Sequence, residues 1–171
     1  MQENISTARI ALKYGAITAV AVIVFSTLLN VTGLNQNQGL ASLAFLILIG
    51  GIIWALKDFR QQNGGFLSYG EGLGTGTLVS AIVGLLASTF AMFYMEFIDN
   101  TIMQQSLDKA RDDMERRGMD DAQIDQAMAI SQKFMSPGIM FITGILTYVI
   151  FGFIISLIVA AVMRKTKPVF E

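Results

Sequence analysis

Four uninterrupted apolar runs restrict what this sequence can fold into. They cover residues 14–31, 40–56, 73–97 and 139–163, and the only charge inside them is Glu96, one position from the end of its run. A hydrocarbon core of about 30 Å needs roughly 17 to 25 helical residues to cross it. Because lipid offers no hydrogen bonds to the backbone, and because the runs lack barrel-like alternation, they predict helices. We expect an all-α integral membrane protein with four transmembrane helices, forming a single membrane domain over residues 1–171.

The composition agrees with a membrane location and excludes several classes of function. Hydrophobic residues make up 53% of the chain and charged residues only 15%, and the formal net charge is -1. No basic surface is therefore available for a nucleic-acid partner. The sequence has no histidine and no cysteine, which excludes Ser-His-Asp hydrolases, thiol nucleophiles, and metal sites built on imidazole or thiolate ligands. We expect no enzymatic activity, no catalytic residue, no metal and no cofactor.

The first apolar run could also be read as a secretory signal. Arg9 and Lys13 precede it, and Ala19-Val20-Ala21 resembles a cleavage site. Cleavage there would leave a very short apolar core, and the run continues well beyond it. We therefore expect an uncleaved transmembrane helix.

The placement of lysine and arginine predicts the orientation of the four helices. Basic residues flank the N-terminus, the link between the second and third runs, and the C-terminal tail: Arg9, Lys13, Lys57, Arg60, Arg164, Lys165 and Lys167. The link at residues 33–39 has none. Since cytoplasmic loops carry the excess of positive charge, both termini are expected in the cytoplasm.

The segment at residues 101–135 predicts an extracytoplasmic, amphipathic helical hairpin. Apolar side chains recur at helical spacing along its first half, at Met103, Leu107, Ala110 and Met114. Gly118 interrupts the pattern, and Asp120 followed by Gln123 has the spacing of a capping box. A second stripe follows: Ile124, Ala127, Met128, Ser131 and Met135. Pro137, preceded by Ser136, is expected to start the fourth transmembrane helix.

The stretch NGGFLSYGEGLGTG at residues 63–76 raises the question of a phosphate-binding loop. Its last four glycines alternate at a spacing of two, which fits neither the dinucleotide nor the P-loop pattern. Counting by four instead reveals a ridge of small residues, Gly72, Gly76, Ser80, Gly84 and Ser88. The fourth run offers a matching set, Gly144, Gly152, Ser156 and Ala160. Such ridges allow close helix packing in lipid, either within one bundle or between copies of the chain.

Two polar residues near or within the apolar runs are candidates for a functional role. Glu71 and Tyr148 could line a transport path together with Thr75 and Thr77. Glu71 could equally serve the first turn of its helix, where the helix dipole favours an acid. A small-solute or ion transporter or channel is therefore the alternative to a structural role.

Several segments resemble a known family when they are taken in order. They are NGGFLSYGE at 63–71, MERRGMDDAQIDQAM at 114–128, FMSPG at 134–138 and the ending IISLIVAAVMRKTKP. Together they are similar to the bacterial domain of unknown function 4199 family. The resemblance implies four transmembrane helices with a helical exterior insertion, mostly in bacteria with two membranes, and it implies no assigned activity and no catalytic residues. We therefore expect a multi-pass inner-membrane protein with a structural, accessory or partner-binding role. Its expected partners are the lipid bilayer and, through the hairpin, another membrane protein or a second copy.

Overall fold

The computed structural model describes residues 6–134 and 136–166, and this part of the chain is all-α. It contains six α-helices and no strand. They are α1 (Thr7–Val31), α2 (Gln38–Gln62), α3 (Tyr69–Phe97), α4 (Thr101–Arg116), α5 (Asp121–Phe134) and α6 (Pro137–Met163). A short 3₁₀ turn at Leu34–Gln36 connects α1 to α2. The predicted all-α class is confirmed for these residues. Met135 of the second predicted stripe and Lys167 of the basic tail lie outside the described residues.

Four of these helices, α1, α2, α3 and α6, are long and apolar enough to cross a membrane. Each one contains a predicted apolar run but extends beyond it. The helix α2, for example, continues past residue 56 to Gln62. The reason is that an apolar run marks only the part of a helix suited to hydrocarbon, whereas the helix itself continues until a breaker. For α2 that breaker is the turn at Gly64 and Gly65, whose φ angles of 64° and 88° favour glycine.

The helix starts follow local capping signals in the sequence. Asp120 Oδ1 accepts a hydrogen bond from the Gln123 backbone N–H at 2.8 Å, and Gln123 Oε1 accepts from the Asp120 N–H at 3.4 Å. This reciprocal pair is the predicted capping box, and α5 begins at Asp121, directly after Asp120. The helix α6 begins at Pro137, as predicted. The Asn37 side chain caps α2 by accepting from the backbone N–H groups of Gly39 and Leu40.

The chain divides into two compact units. The first contains α1, α2, α3 as far as Ala87, and α6 from Ile145 onward. Its interior is formed by fully buried side chains such as Leu48, Ile52 and Val79, while many large apolar side chains on the outside remain exposed. An exterior this apolar is unusual for a soluble protein and suits a protein surrounded by lipid.

The second unit covers Ser88–Gly144 and contains α4 and α5, which pack against each other. Within these two helices, the buried side chains are Leu107 of α4 and Ile124 of α5. The other described members of the two predicted stripes are partly buried, in contrast to the charged residues around them. The amphipathic pattern of this segment is thus borne out for its described residues. Within α4 an ion pair joins Arg111 Nε to Glu115 Oε1 at 3.2 Å.

Candidate functional site

The ridge of small residues on α3 contacts α6 in the first unit. A methyl group in place of a Gly72 hydrogen would lie 2.9 Å from the Ala160 Cβ and 2.9 Å from the Leu56 Cδ2. At Gly76 it would lie 2.9 Å from the Ser156 Cβ. These separations are well below the 3.5–4.0 Å at which carbon atoms attract each other, so neither position has room for a side chain.

The next two steps of the ridge use the same antiparallel register. Ser80 of α3 fills the space that a side chain at Gly152 of α6 would need. A methyl group at Gly84 would lie 2.9 Å from the Tyr148 Cβ and would also meet the backbone of Ile145. Each step of four residues along α3 is thus matched by a step of four in the opposite direction along α6.

The last step of the ridge belongs to the second unit. There Ser88 lies against Gly144, and its Cβ is 3.4 Å from the position that a Gly144 methyl would occupy. Every small residue of the ridge therefore contacts a residue of α6 in the same chain. The contacts use backbone proximity and dispersion, which are the forces available to helices in lipid.

The buried hydroxyl groups of this seam are satisfied within their own helices. Thr75 Oγ1 donates to the Glu71 carbonyl oxygen at 2.7 Å, Ser80 Oγ to that of Gly76 at 2.9 Å, and Ser156 Oγ to that of Gly152 at 2.6 Å. Among the described residues, no buried side-chain nitrogen or oxygen lacks a hydrogen-bond partner. The seam therefore offers packing surface without an unpaired polar group.

The helix α1 joins the bundle through glycine contacts of its own. A methyl group at Gly15 would lie 2.8 Å from the Ile82 Cβ of α3. Gly51 of α2 has no room for one because Thr18 of α1 lies against it. Three helices of the first unit thus approach one another closely at glycine positions.

Glu71 lies in the first turn of α3 and caps that helix. Its Oε2 accepts hydrogen bonds from the Ser68 backbone N–H at 2.8 Å and from the Ser68 Oγ at 2.7 Å. In return the Ser68 Oγ accepts from the Glu71 N–H at 3.3 Å. This is a reciprocal capping box, and the S-x-x-E spacing of residues 68–71 is the sequence signal that could have identified it.

Tyr148, the second polar candidate, is half-buried among aromatic and small residues. Its ring centroid is 6.0 Å from that of Phe45 on α2, at an interplanar angle of 39°. The structure does not bring Tyr148 together with Glu71 in any hydrogen bond. The candidate path residues therefore form no joint polar cluster in the described chain.

The helical pair α4–α5 presents a charged surface with one apolar patch. Asp99, just before α4, accepts hydrogen bonds from the Thr101 Oγ1 at 2.6 Å and the Thr101 N–H at 3.0 Å, which hold its pKa below the ordinary value of 3.8.

The apolar patch is formed by Ile130 and Phe134 on α5, which are 57% and 66% exposed. Being four residues apart, they lie on one face of the helix.

Two long-range interactions were not anticipated from the sequence. Lys13 Nζ of α1 lies 3.3 Å from Asp58 Oδ2 of α2. Leu67 and Lys165 form an isolated antiparallel bridge, with backbone N–H to oxygen distances of 2.9 and 2.8 Å. Neither has a local sequence signal, since both join residues far apart in the chain.

The acidic residues do not assemble a metal site within the described chain. No group of three or more Asp or Glu side chains there is placed to hold a metal ion. The acids of α4 and α5 are instead exposed and interleaved with basic residues.

Comparison with known proteins places the chain in a family. No curated protein and no solved structure matches it. One family model does match, with the description "Protein of unknown function (DUF4199)", and it covers residues 13–165. The segments that carried the resemblance lie within or overlap this range. The chain, with its four apolar helices and its α4–α5 pair, therefore belongs to the DUF4199 family.

Proposed function

We propose that the protein is a non-enzymatic, multi-pass inner-membrane protein that displays its α4–α5 pair outside the cytoplasm as a binding surface for a partner protein. The partner is another membrane protein or a second copy of the chain. The observation that carries the proposal is the exposed pair Ile130 and Phe134 on α5. Large apolar side chains one helical turn apart are typical anchors for a partner helix or groove.

The internal packing of α4 and α5 supports this assignment. Leu107 and Ile124 are buried, and the other described members of the two stripes are partly buried. Ile130 and Phe134 are therefore not needed for the contact between α4 and α5, and they remain available to another protein. The surrounding acids and bases would form the polar rim that surrounds such anchors in interfaces.

The orientation in the membrane is part of the proposal and rests on charge. Seven lysine and arginine residues flank the ends of the apolar runs on one side, whereas the link at residues 33–39 has none. The positive-inside rule then assigns both termini to the cytoplasm and α4–α5 to the opposite side.

Support for a non-enzymatic role comes from how the polar candidates are used. The Glu71 carboxylate caps α3, and the hydroxyls of Thr75, Ser80 and Ser156 bond to their own helices. Because these groups serve helix structure and packing, their presence is explained without a catalytic role, which supports a non-enzymatic protein.

Photo-crosslinking in living cells tests the proposed interface. A photoreactive amino acid is placed at Ile130, at Arg116, or at the control position Gln38, which lies in the link at residues 33–39 on the same predicted side. We expect a discrete adduct from the probe at Ile130 and from the probe at Arg116. When the chain also carries Phe134→Asp, both adducts should disappear. The mass of the adduct distinguishes a second copy from another protein.

Two crosslinking results would contradict the proposed binding surface. If Ile130 and Arg116 yield no adduct, or only the adducts that Gln38 also yields, α4–α5 is not a specific binding surface. A Phe134→Asp variant that keeps the full adduct yield would remove the apolar pair from the interface.

A further inference from the structure

A groove in the first unit lies between the last turns of α2 and α6. Its volume is about 730 Å³, within the range of small-molecule sites. The wall from α6 is apolar and includes Ile158 and Val162. The wall from α2 includes one apolar residue, Ile53, followed by Lys57, Arg60 and Gln61.

The α2 wall of the groove is apolar at one end and cationic at the other, while the α6 wall is apolar along its length. On α2 the lining residues follow one another at spacings of four, three and one, which places them along one face of the helix. Lys57 comes directly after the apolar run at 40–56. In a bilayer, the apolar part of the groove would therefore lie at acyl-chain depth and the basic part at headgroup depth.

Neither cation of the groove is paired with an acid among the residues that the structure describes. Asp58 is the only acid between residues 53 and 67, and it pairs with Lys13 at 3.3 Å. Neither Lys57 nor Arg60 takes part in an ion pair within residues 6–134 and 136–166. The groove therefore has a net positive charge at its polar end.

One hydrogen bond from its Nε holds the Arg60 side chain in place and leaves the donors of its two terminal nitrogens available. Its Nε donates to the Gly65 carbonyl oxygen at 3.0 Å. The remaining N–H donors of a guanidinium are on its two terminal nitrogens, in a planar arrangement that matches a phosphate. The Gly64–Gly65 turn thus orients a phosphate-binding group beside the groove.

We infer that this groove binds one anionic phospholipid. The headgroup phosphate lies between Lys57 and Arg60 with Gln61 as a further donor, and an acyl chain follows Ile53, Ile158 and Val162. The exposure of Ile158 and Val162, 63% and 79%, leaves the apolar wall open to the surrounding acyl chains. A zwitterionic headgroup fits less well because its own positive charge would be repelled by Lys57 and Arg60. The inference shares with the proposed function only the membrane location and does not depend on a partner of α4–α5.

Native mass spectrometry of the full-length protein in mild detergent tests this site. Phosphatidylglycerol or phosphatidylcholine is titrated into the delipidated protein, and the occupancy of the first bound lipid is compared. Since each basic residue near the membrane surface contributes about a fivefold gain for an anionic lipid, Lys57→Gln with Arg60→Gln should weaken phosphatidylglycerol binding about 25-fold. The control variant Arg116→Gln with Arg117→Gln removes the same charge at the end of α4. It should leave phosphatidylglycerol binding unchanged.

A second pair of variants tests the apolar part without changing any charge. Val162→Trp fills the groove and should lower occupancy by phosphatidylglycerol, while Val24→Trp, at an exposed position of α1 outside the groove, should not. These variants keep the inference testable if loss of the basic pair impairs folding, because both substitute exposed positions.

Three results would overturn the inference. The first is equal affinity of the unmodified protein for the two lipids. The second is an equal loss of binding in the α2 and α4 charge variants, which would indicate a non-specific charge effect. The third is unchanged phosphatidylglycerol occupancy in Val162→Trp.

Discussion

Gly74 and Gly76 lie two positions apart on α3, yet only Gly76 is constrained by its neighbours. A methyl group at Gly76 would collide with Ser156 of α6 and would also lie 3.1 Å from the Ile52 Cγ2, whereas nothing lies within 4 Å of one at Gly74. Gly70 is open in the same way. The glycines of the 63–76 stretch thus divide into three sets. Gly64 and Gly65 form the turn with positive φ, Gly70 and Gly74 are open, and only Gly72 and Gly76 are required by helix packing.

This difference predicts opposite effects of one substitution at neighbouring positions. Gly76→Ala should lower the free energy of unfolding by about 1–3 kcal/mol, because the added methyl forces α3 and α6 apart. Gly74→Ala should leave it unchanged or raise it by up to about 1 kcal/mol through better helix propensity. Reversible unfolding in mixed micelles, followed by circular dichroism, measures both. Equal effects of the two variants would contradict the assignment of the ridge.

Glu71 provides a second test at the residue scale. Since glutamine can make the same capping contacts, Glu71→Gln should keep the stability of the protein, while Glu71→Ala should cost about 0.5–2 kcal/mol. Ser68→Ala should resemble Glu71→Ala because it removes the other half of the box. The same unfolding measurement applies. If Glu71→Gln were as damaging as Glu71→Ala, the charge itself and not the cap would be the role of Glu71.

At the scale of elements, α4 and α5 show how a weakly hydrophobic segment becomes an ordered pair. Only Leu107 and Ile124 are buried in these two helices, and most other side chains are exposed. The order of the pair therefore depends on few contacts, supported by the capping box at Asp120 and the Asp99–Thr101 hydrogen bonds. Such a segment is expected to open more readily than the first unit, whose core is larger.

The dependence on one contact can be measured directly. Ile124→Ala should destabilise the α4–α5 pair by about 2–5 kcal/mol, because Ile124 is 1% exposed and its removal leaves a cavity. Ile130→Ala, at a 57% exposed position of the same helix, should have little effect. Hydrogen exchange over residues 101–134 reports both variants. Rapid exchange in unmodified protein across this whole range would show that the two helices do not form a stable pair.

At the scale of the whole molecule, the distribution of basic residues predicts how the chain is oriented. Because the sequence has no cysteine, single cysteines introduce unique labels. Gln123→Cys in α5 should react with a membrane-impermeant maleimide added on the extracytoplasmic side of the membrane, while Thr166→Cys should react only after the membrane is permeabilised. Labelling with the reverse pattern would overturn the proposed orientation. Labelling of both cysteines from one side would contradict a membrane crossing by α6, which separates them in the chain.

Much of the fold could be predicted because its signals are local. Hydropathy and helical periodicity depend on residues within a few turns, so the four long helices, the start of α6 at Pro137 and the Asp120–Gln123 cap follow from short windows of sequence. The segments that resemble DUF4199 are local too, and the family match covers residues 13–165. The S-x-x-E cap of α3 carried a signal of the same kind.

Only the tertiary structure decided which surfaces meet. Small residues at a spacing of four predict that another helix packs closely against α3. Whether Gly76 faces α6 or another chain follows only from the structure, in which Gly76 lies against Ser156 of α6. Likewise, Lys57, Asp58 and Arg60 are nearly adjacent in sequence, yet Asp58 is paired with Lys13 while the other two line the groove beside α6. The physical reason is that periodicity sets the direction of a side chain on its own helix, whereas its partner depends on how distant helices pack.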